Sequence, residues 1–272
     1  MLPQVPVPSA ATPILQRRLP FAPWADPRHR RLPGVQPLPA GTWLLRDDAF
    51  AAQMAERDRL IDTAPAAVHA LLPEARPAAV ELFALVLAKL SQDDGYRVGP
   101  QAVTRPDGQR VPLDPAQPLL TLGRLVQADL CLLQRRGAEH VLTGAVLCFP
   151  AGWTLAEKLG HPLSRIHAPV RNYDAGLAAR VQRLFDAIRP EQPLWRANVL
   201  AYASPELFAP RTEDDPRPPP TGHGRFVRSE RQCLLRLPDS GAVVFSIHTA
   251  MVALHSLTPA QAEAFAAMHP EA

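Results

Sequence analysis

The chain has 272 residues, 47% of them hydrophobic and 20% charged, an ordinary composition for a globular protein with a sizeable core. The formal net charge is only +3 and no run of five basic residues occurs, so we expect no nucleic-acid partner. Three widely spaced cysteines (Cys131, Cys148 and Cys233) form no Cys-x-x-Cys pair, which argues against a disulfide framework and a structural zinc site. No stretch reaches the roughly 18 apolar residues of a membrane span and the first residues lack a signal-peptide layout, so we expect a cytoplasmic protein without a membrane segment.

The first 40 residues are rich in proline, with ten of the 32 prolines of the chain. Because each proline removes a backbone donor and fixes φ, this density predicts an extended arm over residues 1–40 instead of a helix or a central strand. Apolar side chains such as Phe21 and Trp24 are suited to lie on a domain surface. Residues 1–12 fit a flexible leader equally well.

Two helices are predicted after the arm. The first covers residues 47–61 and begins at an acidic cap, Asp47 or Asp48. The second covers residues 77–90, with Pro77 in its first turn. Its apolar residues lie nearly all round the helix, which predicts a buried position.

The middle of the chain changes to strand patterns. Residues 129–135 and 140–148 are apolar runs separated by a short segment containing Gly137, which predicts an antiparallel hairpin. Thr154 and Glu157 then predict a capping box at the start of a short helix. This helix is expected to stop at Gly160, because glycine adopts the left-handed conformation of a helix end.

The remaining elements follow in alternation. They are an amphipathic helix capped by Asp174, a strand over residues 195–202, a proline-rich surface loop over 205–220, a hairpin formed by residues 226–237 and 242–249, and a last helix that begins at Thr258 with Pro259 and Gln261. Together these elements predict an α+β domain over residues 41–257 with one antiparallel sheet of about five strands and flanking helices. Residues 258–272 form a separate C-terminal helix in this prediction.

Two histidines, His161 and His167, leave the Thr154 helix on a segment bounded by prolines. Their spacing of six is too wide for two metal ligands on one helical face, whereas a haem iron needs only a single histidine because the porphyrin supplies four ligands. His167 lies in the more apolar and rigid setting and is the favoured ligand. His161 and the Cys148 thiolate are the alternatives, and a hydrogen-bonded core histidine is the commoner role of a single histidine.

A second polar cluster lies on the predicted strands near Arg196 and Glu230. Alternation places Arg228, Glu230 and Gln232 on one face and Ser229, Arg231 and Cys233 on the other. Such alternation commonly marks a solvated face. The functional alternative is that guanidinium groups neutralise ligand carboxylates, while Glu230 either pairs with Arg196 or receives a cationic amine.

The same residues carry a resemblance to a known family over about residues 40–257. The motifs, in chain order, are 129–133 (DLCLL), 148–150 (CFP) with Trp153, 156–160 (AEKLG), 166–170 (IHAPV), 195–198 (WRAN), 230–232 (ERQ), 236–238 (RLP) and Phe245. Taken together, they resemble a bacterial family that includes the haem-binding subunit of haem-dependent oxidative N-demethylase.

The resemblance implies a PAS-like fold that holds haem b, with its iron bound axially by His167. It implies that Arg196 and Arg231 contact the propionates or the distal pocket, and that Glu230 and Arg231 serve catalysis, with Glu230 orienting the amine. A secondary amine such as dimethylamine would be oxidised with O₂ to the primary amine and formaldehyde. Electrons would come from an NADPH-dependent flavin and iron–sulfur reductase, in a hetero-oligomeric or homo-oligomeric assembly.

Three positions depart from the family pattern. Ala128 replaces an expected acidic residue, Val199 an aromatic one and His248 an arginine. These departures leave open an altered substrate or a loss of activity. The alternatives are then a haem-binding sensor or carrier without turnover, or a structural subunit of such a complex.

Overall fold

A computed structural model describes residues 12–26, 34–169, 174–215 and 225–269. Its strands, in chain order, are β1 Gln36–Pro37, β2 His69–Leu71, β3 Arg97–Val98, β4 Ala102–Thr104, β5 Arg110–Pro112, β6 Asp129–Arg136, β7 Glu139–Val146, β8 Leu194–Tyr202, β9 Phe226–Arg236 and β10 Val243–Ala253. Seven of these strands form one antiparallel sheet in the spatial order β1-β8-β9-β10-β6-β7-β2, and β3-β4-β5 form a small second sheet.

The α-helices of the described residues surround the large sheet. They are α1 Phe50–Thr63, α2 Pro65–Val68, α3 Arg76–Leu90, α4 Pro118–Gly123, α5 Leu155–Lys158, α6 Leu163–Ile166, α7 Ala175–Ala187 and α8 Pro259–Met268. None of these helices has both the length and the apolar character needed to cross a bilayer.

The sheet is larger than the sequence predicts. The predicted α+β class and the five long strands β6 to β10 are confirmed. The expectation of about five strands in one sheet is wrong, since the short edge strands β1 and β2 extend the main sheet to seven and β3 to β5 form another. Strands of two or three residues are too short to show the period-2 alternation on which the prediction depends.

Three helix starts test the predicted caps. Asp174 caps α7 by accepting the Leu177 N–H at 2.6 Å, and Thr258 and Gln261 form the full capping box of α8, so both predictions are confirmed. The capping box predicted at Thr154 is wrong, because the Thr154 hydroxyl donates to the Glu157 carboxylate at 2.8 Å and accepts no backbone N–H of α5.

The other predicted helix signals are partly confirmed. Helix α1 begins at Phe50, after Asp47 and Asp48, and its N-cap Ala49 makes no side-chain capping bond. Helix α3 matches the predicted range and buries most of its apolar residues, although Val80 is exposed. Gly160 has φ of +78°, the left-handed conformation predicted for the end of α5.

The two faces of the large sheet pack against different helices. We call the face that carries Arg196, Glu230 and Phe245 the site face, and the face that carries Arg231 and His248 the opposite face. Leucine and phenylalanine side chains of α5, α6 and α7 pack on the site face, whereas α1, α3 and α4 pack on the opposite face. Each strand therefore has apolar neighbours on both sides, which explains why both hairpins are buried.

The described part of the N-terminal arm is held against the sheet. Gln16 exchanges hydrogen bonds with the Met251 backbone, and the Trp24 indole donates to Ser229 Oγ at 3.1 Å. Trp24 also shares a buried apolar cluster with Phe265 of α8 and with Val199. Residues 1–11 and 27–33 of the predicted arm lie outside the described residues, and the division into arm, domain and terminal helix stays a prediction.

Candidate functional site

A cavity of about 370 Å³ lies between the site face and the segment that carries α5 and α6. Arg196, Glu230 and Gln232 line it from the strands, and His167 lines it from the end of α6. Its apolar lining includes Cys131, Leu133, Leu142, Trp153, Leu163, Ile166, Phe245 and Ile247. An apolar cavity of this size with a few convergent polar groups has the usual character of a small-molecule site.

The His167 ring is half-buried and has a defined tautomer. Its Nδ1 lies 2.9 Å from the Leu163 carbonyl oxygen, and because a carbonyl only accepts, Nδ1 carries the proton. Burial lowers the pKa of His167, and the nearby charges of Lys158 and Arg196 lower it further. A neutral imidazole with its Nδ1–H on a backbone carbonyl is the form in which Nε2 binds a metal ion.

The two alternative ligands are placed differently. The His161 side chain is exposed and is not among the residues that line the cavity. Cys148 is buried outside the cavity, and burial raises the pKa of its thiol to about 12. A thiol that stays protonated at neutral pH is a poor metal ligand, because the thiolate is the binding form.

Arg196 brings a positive charge to the cavity. Its Nη1 donates to Gln232 Oε1 at 3.4 Å, whereas its Nε is buried without a hydrogen-bond partner. Burial lowers the pKa of Arg196, and the charge of Glu230 opposes this shift without forming a direct ion pair within the described ranges. A half-buried guanidinium with an unused donor is suited to bind a carboxylate.

Glu230 is paired with Arg228 and not with Arg196. Glu230 Oε1 accepts from Arg228 Nε at 3.1 Å and lies 3.0 Å from Arg228 Nη2. Glu230 Oε2 accepts from Asn198 Nδ2 at 3.0 Å and from Gln232 Nε2 at 3.2 Å. Arg228 and Glu230 are only 0% and 5% exposed, so the interpretation of this strand as a solvated face is wrong.

Arg231 lies on the opposite face and does not reach the cavity. Its guanidinium donates to the Trp43 carbonyl at 3.0 Å and to Thr42 Oγ1 at 3.2 Å, and it stacks 4.8 Å from the centre of the Trp195 ring. The structure thus brings together His167, Arg196 and Glu230, three of the four predicted site residues. Arg231 instead attaches the segment at Thr42 to the sheet.

The three positions that depart from the family pattern also lie away from the cavity lining. Val199 packs in the cluster with Trp24, and Ala128 is buried. His248 on the opposite face contacts the Gln127 carbonyl and the Asp47 carboxylate, at 2.8 and 2.9 Å. His248 therefore adds no charge to the cavity, because its side chain lies on the other face of the sheet.

Glu213, which sequence reasoning missed, fastens the loop after β8 beside the cavity. Its carboxylate accepts from Lys158 Nζ at 2.6 Å and from both terminal nitrogens of Arg165 at 2.9 Å. The Glu213 backbone N–H also donates to Glu157. The hydrogen bonds from Arg165 and Lys158 lower the pKa of Glu213 to about 2. Lys158 and Arg165 precede Glu213 by 55 and 48 positions, so no local pattern in the sequence indicates this cluster.

Replacing Glu213 with glutamine is expected to loosen residues 205–215, with hydrogen exchange in this segment rising several-fold at pH 7. The pKa of Glu213 in the folded state lies below its ordinary value of about 4.3, so the carboxylate stabilises the loop fully above about pH 5. This contribution is lost as the pH falls toward 2. Exchange measured by mass spectrometry should therefore distinguish Glu213→Gln from the wild type at pH 5–7 and less at pH 3.

The matched control is Asp215→Asn in the same loop. Asp215 pairs with Arg211 in an exposed (i, i+4) contact, which contributes little. Equal exchange rates in the Glu213→Gln and Asp215→Asn variants would contradict the fastening role of Glu213.

A known protein family matches most of the chain. The family described as "Haem-dependent oxidative N-demethylase, alpha subunit-like" matches residues 34–269. This range includes every strand and every α-helix of the described residues, and all the residues that line the cavity. Within the described ranges, no three His, Cys, Asp or Glu side chains converge to hold a metal ion.

Proposed function

The chain belongs to the haem-dependent oxidative N-demethylase alpha subunit-like family, and from this we propose that its cavity holds haem b and serves the oxidation of a secondary amine. The products would be the primary amine and formaldehyde. One atom of O₂ goes to formaldehyde and the other to water, and NADPH supplies two electrons. The observation that carries the proposal is that one apolar cavity contains both a neutral histidine and a half-buried arginine whose Nε lacks a hydrogen-bond partner.

The residues of the cavity fit haem in two respects. His167 would bind the iron through Nε2, because its Nδ1 proton is held by Leu163. Arg196 would bind a propionate with the Nε that has no partner within the protein. When bound, haem supplies the iron at which O₂ is activated.

Other side chains have supporting roles in this proposal. Trp153, Phe245 and Ile247 exclude water from the reacting groups. Glu213 keeps the loop at residues 211–213 against the cavity. Arg231, whose catalytic and propionate-binding roles were expected from the family motif, supports the sheet from the opposite face.

We further propose the electron source and the assembly. The family is described as an alpha subunit, so partner subunits are expected, among them an NADPH-dependent reductase with flavin and iron–sulfur groups. The three buried free cysteines fit the reducing cytoplasm. We also infer that the five long strands with helices α5 to α7 form the PAS-like unit.

A haem-binding sensor or carrier is the second candidate function, and one observation favours it. Glu230, the residue expected to orient the amine, has its charge neutralised by Arg228 and both of its oxygens hydrogen-bonded. A cationic amine would have to displace one of these donors. Amine-dependent formaldehyde release with a competent reductase favours the enzyme, whereas tight haem binding without release favours the sensor.

Substitution of His167 tests the haem assignment. Reconstitution of the wild-type protein with haemin is expected to give a Soret band, and His167→Ala is expected to shift this band and to weaken haem binding at least tenfold, because the axial ligand is lost. His161→Ala and Cys148→Ala serve as controls and should keep the wild-type spectrum. A His167→Ala spectrum identical to that of the wild type would refute ligation by His167.

A further inference from the structure

The cavity carries a hydrogen-bonded chain of side chains that ends at Arg196. It begins at Arg228, which is fully buried and donates to the carbonyls of Leu207 and Phe149 as well as to Glu230. Because Arg228 occupies Glu230 Oε1, only Oε2 faces the neighbouring amides. The Glu230 carboxylate is therefore fixed in position.

Gln232 is the next member, and its amide has only one favourable orientation. Its Nε2 donates to Glu230 Oε2 at 3.2 Å, and its Oε1 accepts from Arg196 Nη1 at 3.4 Å. A flipped amide would place its NH₂ group against the guanidinium and its oxygen against the carboxylate. Two mismatches of this kind inside a buried site are costly, so Glu230 sets the orientation of Gln232.

Arg196 is in turn held through one nitrogen while another stays available. Gln232 holds Nη1, and Nε is buried without a partner. Because Gln232 is neutral, it orients the guanidinium without neutralising it. A glutamate in its place would pair with Arg196 and remove the charge that the cavity offers.

We propose that Gln232 is a positioning residue, oriented by the Arg228–Glu230 pair, that directs Arg196 at a carboxylate of the ligand in the cavity. This inference rests on the proposed function for the identity of the ligand, a porphyrin with carboxylate side chains. It assigns Glu230 a role through Gln232 and Arg196 instead of a contact with the amine. The cavity accordingly selects porphyrins with free carboxylates over their esters.

The test compares protoporphyrin IX with its dimethyl ester, in which both carboxylates are methylated and uncharged. Binding is followed by quenching of tryptophan fluorescence, and because these probes contain no iron, the result does not depend on His167 ligation. We expect the wild-type protein to bind the free acid roughly 10 to 100 times more tightly than the ester, the range of one charged hydrogen bond. Gln232→Glu should bring this ratio close to 1.

Two further variants separate positioning from general structural damage. Gln232→Leu keeps the Arg196 charge but not its orientation, and should give an intermediate ratio. Gln192→Glu makes the same chemical change at an exposed position just before β8 and should keep the wild-type ratio. Circular dichroism identifies variants that do not fold, and the ratio is compared only among folded ones.

The outcomes for this inference and for the proposed function are distinct. A wild-type ratio near 1, or a ratio that Gln232→Glu and Gln232→Leu leave unchanged, overturns the positioning role even if haemin gives a His167-dependent Soret band. Conversely, a ratio that depends on Gln232 supports the positioning role even if haemin gives no such band, and the proposed iron ligation then fails alone.

Discussion

Replacing Asp129 with asparagine is expected to lower the free energy of unfolding by about 3–5 kcal/mol, the usual cost of leaving a buried charge without its partner. Asp129 Oδ1 lies 2.6 Å from Arg57 Nη1, and both side chains are completely buried. The carboxylate also accepts the backbone N–H groups of Cys148 and Phe149 at 2.7 and 3.0 Å. Asparagine would leave the Arg57 charge uncompensated and present a donor where acceptors are needed.

The position of Asp129 explains why the effect should reach the cavity. Cys148 and Phe149 follow β7 and lead directly into the segment that carries His167. Arg57 in turn bonds the Gly123 carbonyl at 2.9 Å, which connects α1 and α4 to the same point. The buried pair therefore fixes where the His167 segment leaves the sheet.

Urea unfolding of Asp129→Asn and of a surface control measures this effect. Asp62→Asn removes an exposed partner of Arg124, and should cost less than about 1 kcal/mol. The double variant Arg57→Met, Asp129→Leu should recover part of the loss, because no unpaired charge then remains. We expect this recovery of stability to be incomplete, since the backbone N–H groups of Cys148 and Phe149 still lack their acceptor. If Asp129→Asn unfolded at the same urea concentration as the Asp62→Asn control, the prediction would be contradicted.

The long elements were predictable because their patterns are local. Each of these patterns depends on residues within a few positions of one another. Examples are the hairpins around Gly137 and around residues 238–241, the Asp174 cap and the Thr258 capping box. The edge strands β1 and β2 depend on distant partners instead. Strand β1, for example, has only two residues, and nothing in them indicates that Gln36 pairs with Trp195.

For the site, alternation along one strand was more informative than the family motif. The motif groups Glu230 with Arg231, yet neighbouring residues of a strand point to opposite faces, and the structure places only Glu230 in the cavity. Gln232 shares the face of Glu230 and could have been chosen by the same rule. Glu213 could not, because its contacts with Lys158 and Arg165 join distant parts of the chain.

Asp47 and His248 form a second buried pair, on the opposite face of the sheet. The Nδ1 of His248 lies 2.8 Å from the Gln127 carbonyl oxygen, and its Nε2 lies 2.9 Å from the Asp47 carboxylate. Gln16 of the arm and Gln127 also donate to Asp47. His248 thus holds Asp47 on the opposite face of the sheet, together with Gln16 and Gln127.

Replacing Asp47 with asparagine is expected to destabilise the protein by roughly 3 kcal/mol at pH 7, because His248, Gln127 and Gln16 lose their charged, buried acceptor. Burial opposes ionisation of Asp47, but the hydrogen bonds and charge of His248, with further bonds from Gln127 and Gln16, lower its pKa below the ordinary value. The Asp47 contribution is therefore complete above about pH 5 and is lost as the pH falls through the lowered pKa.

The difference in unfolding free energy between the wild type and Asp47→Asn should consequently stay large at pH 5–6 and shrink below pH 4. Urea unfolding at several pH values measures this difference. Asp48→Asn is the matched control, since the contacts of the Asp48 carboxylate seen among the described residues are to Arg17 in a more exposed setting. The Asp48→Asn variant should differ little from the wild type across this range. A difference for Asp47→Asn that is small at pH 6, or that grows as the pH falls, would contradict the stabilising role of the Asp47 carboxylate.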